Sequence, residues 1–161
     1  MQRLLITAAI TSALLAVACG GTSPSTAAAS PSPNPSPSAA ASGTTIAVAT
    51  NTKLGQILVD GKGMTVYLFV ADSGTTSSCY TSCAAIWPPV LTTGAPQAGT
   101  GATASLLGTT TRTDGKIEVT YAGHPLYYFV QDKASGDITG QGINGFGGLW
   151  WVLTPSGAAM H

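Results

Sequence analysis

The chain has 161 residues, 44% hydrophobic and only 7% charged, with six Lys+Arg against six Asp+Glu. So few charges leave no basic stripe to neutralise phosphates, which excludes an electrostatic nucleic-acid binder. A balance this low is unusual for a free cytosolic protein and ordinary for one tethered at a surface.

The first element is Met1-Gln2-Arg3 followed by the charge-free apolar run 4–17. A short positive segment ahead of such a run reads as a secretory signal peptide over residues 1–18. The run is shorter than the roughly 20 apolar residues a membrane-spanning helix needs. It ends Leu15-Ala16-Val17-Ala18-Cys19, which resembles the bacterial lipobox, with small residues before the cut and a cysteine directly after it. Ala16 stands where that pattern usually has Leu. The resemblance implies that Cys19 becomes the mature N-terminus and carries thioether-linked diacylglycerol. The protein is then expected outside the cytoplasm, anchored to a bacterial membrane through this lipid. Cleavage removes Arg3 and leaves five basic residues against six acidic ones, a net charge of −1.

Residues 20–44 contain only Gly, Ser, Thr, Pro and Ala apart from Asn34. No side chain here is large enough to build a core, so 19–44 is expected to be a lipidated cysteine on a disordered or polyproline-like tether. At roughly 3.1 Å per extended residue it reaches up to about 75 Å from the bilayer.

Residues 45–158 read as one small β-rich domain. The segment 57–59 leads through Asp60-Gly61-Lys62-Gly63 into a strand over 64–70. Later, 106–112 turns at Thr113-Asp114-Gly115 into 116–121, and further strands are expected over 126–130 and 149–153. Asp-Gly between apolar runs is a hairpin signal because glycine accepts positive φ. One short helix is expected near 82–86, stopped by Trp87-Pro88-Pro89. The expected fold is mainly β, a single domain of antiparallel hairpins, sandwich or barrel-like.

The chain repeats itself. Gly63-Met64-Thr65-Val66-Tyr67-Leu68-Phe69-Val70-Ala71-Asp72 aligns with Gly123-His124-Pro125-Leu126-Tyr127-Tyr128-Phe129-Val130-Gln131-Asp132 at a constant offset, which indicates a duplicated supersecondary unit. The repeats run about 54–91 and 106–155. Both faces of each motif strand are apolar, so each is expected to be central and buried on two sides. Asp72 and Asp132 have two readings: each sets the turn after its strand, or the repeated Tyr/Asp pairs form a polar site between the halves.

These two copies resemble the bacterial lipoproteins named after the motif Tyr-x-(Phe/Trp/Tyr)-x-x-Asp, also called the secreted repeat of unknown function. The motif residues are Tyr67, Phe69 and Asp72, then Tyr127, Phe129 and Asp132. The family's Cys-x-x-x-Cys, Trp-Pro-Pro, Arg-x-Asp-Gly and Gly-Asp-x-x-Gly-Gln-Gly elements match Cys79 to Cys83, Trp87 to Pro89, Arg112 to Gly115 and Gly136 to Gly142. Val119 departs from the pattern, since members often carry Trp there, which implies a gap in the packing. The resemblance implies a location but no established activity.

With Cys19 acylated, Cys79 and Cys83 remain as an even pair in an oxidising compartment, where a disulfide is the default. The alternative is copper or redox chemistry, with Cys79, Cys83 and His124 as ligands and His161 as a weaker one. Hydrolase chemistry finds no support: there is no Gly-x-Ser-x-Gly elbow, and His124 is the only histidine inside the domain. Adjacent Trp150 and Trp151 must point to opposite faces of a strand, so with Tyr128 they form a candidate ligand surface for a glycan or protein of the envelope. The expected function is a non-enzymatic binding or interaction module with no cofactor.

Overall fold

The computed structural model describes residues 43–161; the segment expected to be a signal peptide, Cys19 and most of the expected tether lie outside them. The elements are β1 (Thr45–Asn51), β2 (Gly55–Asp60), β3 (Tyr67–Phe69), α1 (Ser82–Ile86), β4 (Gln97–Ala98), β5 (Leu107–Thr111), β6 (Ile117–Tyr121), β7 (His124–Pro125), β8 (Asn144–Gly145) and β9 (Gly148–Val152). They form three small sheets, ordered β2-β1-β4, β3-β9-β8 and β5-β6-β7. All pairs are antiparallel except the two-residue contact of β1 with β4. The domain is mainly β with one short α-helix, and the small sheets do not close into a barrel.

The hairpin of β5 and β6 and the helix α1 stand where the turn signals put them. The hairpin expected directly after β2 forms as a tight turn: Asp60 N–H donates to Met64 O, Gly63 N–H to Asp60 O and Val66 N–H to Leu58 O, at 2.8, 2.9 and 3.3 Å. Asp60 Oδ1 also accepts the backbone N–H groups of Lys62 (2.8 Å) and Met64 (2.9 Å), which fixes the turn. Val59 and Thr65 face each other across it as an isolated bridge, so the second arm is too short to count as a regular strand. Of the strand expected over 64–70, the first residues pair back to β2 and Tyr67–Phe69 forms β3, which pairs with β9, Phe69 opposite Trp150. Likewise 126–130 is not a continuous strand, and Tyr127 is held by single bridges to Tyr67 and Pro89.

Those bridges reveal how the repeats fit together. Tyr67 and Tyr127 exchange backbone hydrogen bonds, N–H to O, at 2.8 and 3.0 Å. On its other side Tyr67 faces Val152, from the end of repeat two, while Tyr127 faces Pro89, from the end of repeat one. The same reciprocity continues outward: Val70 N–H donates to Leu149 O and Val130 N–H to Ile86 O, at 3.0 and 3.1 Å. Each motif segment is thus central and lies against the closing segment of the other repeat. The two halves are related by a local two-fold axis between the tyrosines.

Strand pleating sorts the side chains into two cores. Ile57, Val59, Tyr67, Phe69, Tyr127, Phe129, Trp150 and Val152 pack on one face with Trp87, Cys79 and Cys83. Leu58, Val66, Leu68, Leu126, Val119 and Leu153 pack on the other with Ile46, Val90 and Tyr121. Val119 is fully buried there. Val70 breaks the expected two-sided burial: it sits past the last paired residue of β3 and is 55% exposed.

The aromatic core obeys the same two-fold. Trp87 and Trp150 stack with ring centroids 4.0 Å apart and planes 4° from parallel. Trp150 stacks on Phe69 and meets Tyr127 edge-on; Trp87 stacks on Phe129 and meets Tyr67 edge-on. Each such pair adds roughly 0.5–1.5 kcal/mol beyond the area it buries. Gly140 lets the indole approach the loop backbone, because a Cβ there would stand 2.7 Å from the Trp87 ring and 3.0 Å from that of Tyr67. Gly140→Ala is expected to destabilise the domain by about 1–3 kcal/mol through overpacking, read as a lowered midpoint in urea unfolding.

Candidate functional site

The motif tyrosines and aspartates meet across the two-fold, and they do so in exchange. Tyr67 Oη donates to Asp132 Oδ2, and Tyr127 Oη donates to Asp72 Oδ2, both at 2.7 Å. Each tyrosine therefore pairs with the aspartate of the other repeat. The remaining oxygen of each carboxylate sets its own turn. Asp72 Oδ1 accepts from the backbone N–H and the hydroxyl of Ser78, and Asp132 Oδ1 accepts the same two donors from Thr139. One oxygen of each aspartate thus sets its own turn and the other bonds the tyrosine of the opposite repeat.

Burial keeps both phenols protonated. Tyr67 and Tyr127 are fully buried, and desolvation pushes their pKa values well above the usual tyrosine range; Asp132 and, for Tyr127, the charge on Glu118 push the same way. Hydrogen bonds to charged partners contribute about 1.5–3 kcal/mol each, so the exchanged pairs are a substantial tie between the repeats.

On the Asp72 side the network runs deeper. Ser77 Oγ lies 2.7 Å from Tyr127 Oη and accepts from Arg112 Nη1 at 2.7 Å. Arg112 also donates to Glu118 Oε2 and to the Cys79 carbonyl, each at 2.7 Å, and its guanidinium lies 4.4 Å from the Tyr80 ring centre. Glu118 occupies the place in repeat two that apolar Ile57 holds in repeat one. The next residue in each repeat donates its N–H to an equivalent partner, Leu58 to Leu153 O and Val119 to Val90 O. Sequence reasoning missed Glu118 and Ser77. The one available signal was a carboxylate on a strand otherwise reading Ile117-x-Val119-Thr120-Tyr121.

Cys79 and Cys83 form a disulfide that pins α1 beneath this network. His124 does not join them. It lines a separate cleft of about 330 Å³ with Val70, Asp72, Trp151 and His161. Among the described residues no three His, Cys, Asp or Glu side chains cluster closely enough to hold a metal ion. Trp150 is fully buried and leaves the ligand surface expected for it, because it is the Trp151 face of β9 that turns outward. Trp151 is half-buried and meets the His161 ring edge-on at 4.8 Å. Tyr128 is half-buried too, and its hydroxyl donates to Asp60 Oδ2 at 3.0 Å.

A tandem-repeat β domain whose halves exchange both strands and side-chain partners is the class this geometry defines. The family model described as a secreted repeat of unknown function matches residues 48–91 and 108–154, and the chain belongs to that family. The two matched stretches are the two structural halves. A family of secreted repeats fits an extracytoplasmic location. No described helix is long and apolar enough to cross a membrane. No curated protein and no solved structure matches the chain.

Glu118 provides a test of the buried network. Burial raises its pKa from 4.5 to about 7, outweighing the Arg112 guanidinium that favours the charged form, with Asp72 adding to the rise. The folded state then binds a proton that the unfolded state has released, so stability is greatest below the ordinary carboxylate pKa and falls as pH rises toward about 7. Unfolding free energies measured across that window are expected to decline in the wild type and to flatten in Glu118→Gln.

Proposed function

We propose that the chain is a lipid-anchored, non-enzymatic binding module of the cell envelope, and that its ligand face is the cleft around Trp151. The observation that carries this reading is the contrast between interior and cleft. The polar side chains Ser77, Arg112 and Glu118 hydrogen-bond one another in the interior, out of reach of a ligand. The cleft instead offers an aromatic face, two imidazoles and the apolar Val70 side chain at the surface. An indole ring flanked by hydrogen-bonding groups suits a sugar ring, whose C–H face stacks on the aromatic while its hydroxyls meet the polar rim. An envelope glycan is therefore the ligand class this reading names.

Two measurements test it. Soluble peptidoglycan fragments titrated onto the protein are expected to change its tryptophan emission, and Trp151→Ala is expected to weaken binding by at least about tenfold, the loss of roughly 1.4 kcal/mol. Equal affinity in the variant removes the cleft from the reading. For the anchor, Cys19→Ala is expected to shift the protein from the detergent phase to the aqueous phase on detergent partitioning. Retention of the variant in the detergent phase refutes lipidation at Cys19.

A further inference from the structure

The buried rings form a continuous column, Phe69, Trp150, Trp87 and Phe129, with successive centroids 4.0, 4.0 and 4.3 Å apart. Tyr67 and Tyr127 stand edge-on against its two central indoles. Indole and phenol are the aromatic side chains that give up a single electron most readily, and close stacking spreads the resulting charge over two rings. A phenol in a dry interior cannot lose an electron alone, because the cation left behind is costly without solvent. Here each phenol already shares its proton with a carboxylate 2.7 Å away.

We propose that this column is a one-electron relay, in which Trp150 and Trp87 pass an oxidising equivalent inward and Tyr67 and Tyr127 hold it as neutral tyrosyl radicals. The co-reactant is a one-electron oxidant at the envelope surface. In the storing step one electron leaves the phenol through the indoles to the oxidant. The phenolic O–H bond breaks, and its proton moves to Oδ2 of Asp132 or Asp72, giving the neutral radical and a neutral carboxylic acid. Return of one electron from a reductant and of the same proton restores the pair. The two sulfurs in the same core are already joined as a disulfide, so no thiol there consumes the oxidising equivalent. The burial that keeps both phenols protonated couples electron loss to proton loss.

The test uses the purified full chain and azidyl radicals generated by pulse radiolysis, which oxidise tryptophan. In the wild type the tryptophan radical absorption is expected to convert to tyrosyl absorption at a rate independent of protein concentration and slower in D2O. In the double variant Tyr67→Phe, Tyr127→Phe that conversion is expected to slow by at least about tenfold, a rise of about 1.4 kcal/mol in barrier. Unchanged conversion in the double variant, or a rate that scales with protein concentration, overturns the proposal. Where the double variant fails to fold, the wild type decides: electron paramagnetic resonance of the trapped radical is expected to show a hydrogen-bonded phenoxyl inaccessible to solvent. A radical accessible to solvent refutes it.

Discussion

Everything in this domain depends on a pair of hydrogen bonds made in exchange. The phenol of one repeat reaches the carboxylate of the other, in both directions, beside a two-residue ladder in which Tyr67 and Tyr127 face each other. Because each carboxylate also sets the turn after its own strand, the local conformation of one half is tied to the position of the other. Around that tie the indoles stack, the closing segments pair with the opposite motif segments, and the pleat divides the apolar side chains between two faces.

The halves are alike in their backbone and unlike in the segments that come after the motif. After Asp72 the chain makes a disulfide-pinned turn and a short helix; after Asp132 it makes a glycine-containing loop that lays its backbone on the Trp87 ring. Only the first places a hydroxyl, Ser77, against the opposite tyrosine, and only the second repeat puts a carboxylate, Glu118, beneath it. The cost of burying Arg112 with Glu118 is only partly offset: the guanidinium donates to Ser77, Glu118 and the Cys79 carbonyl, while Glu118 Oε1 and Arg112 Nε are buried without a hydrogen-bond partner. The polar interior is thus one-sided although the frame that holds it is symmetric.

Local signals carried much of this architecture. The Asp-Gly turn of β5 and β6, the helix stopped by Trp87-Pro88-Pro89 and the duplicated motif were all legible because each rests on residues close together in the chain. The hairpin of β1 and β2 was not, since Ala47 and Ala49 alternate too weakly with Ile46 and Val48 to mark a strand. Nor was the partner choice of Tyr67–Phe69. Asp60 stands at the corner of the hairpin its Asp-Gly pair signals, but that local signal says nothing of the later residues of the strand, which pair far along the chain. The exchange of Tyr and Asp partners was beyond reach for the same reason: the motif names the residues but carries nothing about which copy each one touches. Trp150 and Trp151 were correctly set on opposite faces by pleating, and only the packing of the halves decides which face meets solvent.

The reciprocal pairing has a consequence for how many units such a chain can contain. A lone unit would expose the edge of its motif strand, an unanswered phenol and an unanswered carboxylate, and would be completed only by an identical copy turned half a revolution. Two units in one chain answer each other without an encounter in solution, so the covalent link replaces a concentration-dependent dimerisation with an intramolecular one. Completeness here is a matter of parity. Units of this kind close in pairs, and an odd one is left seeking its complement on another molecule.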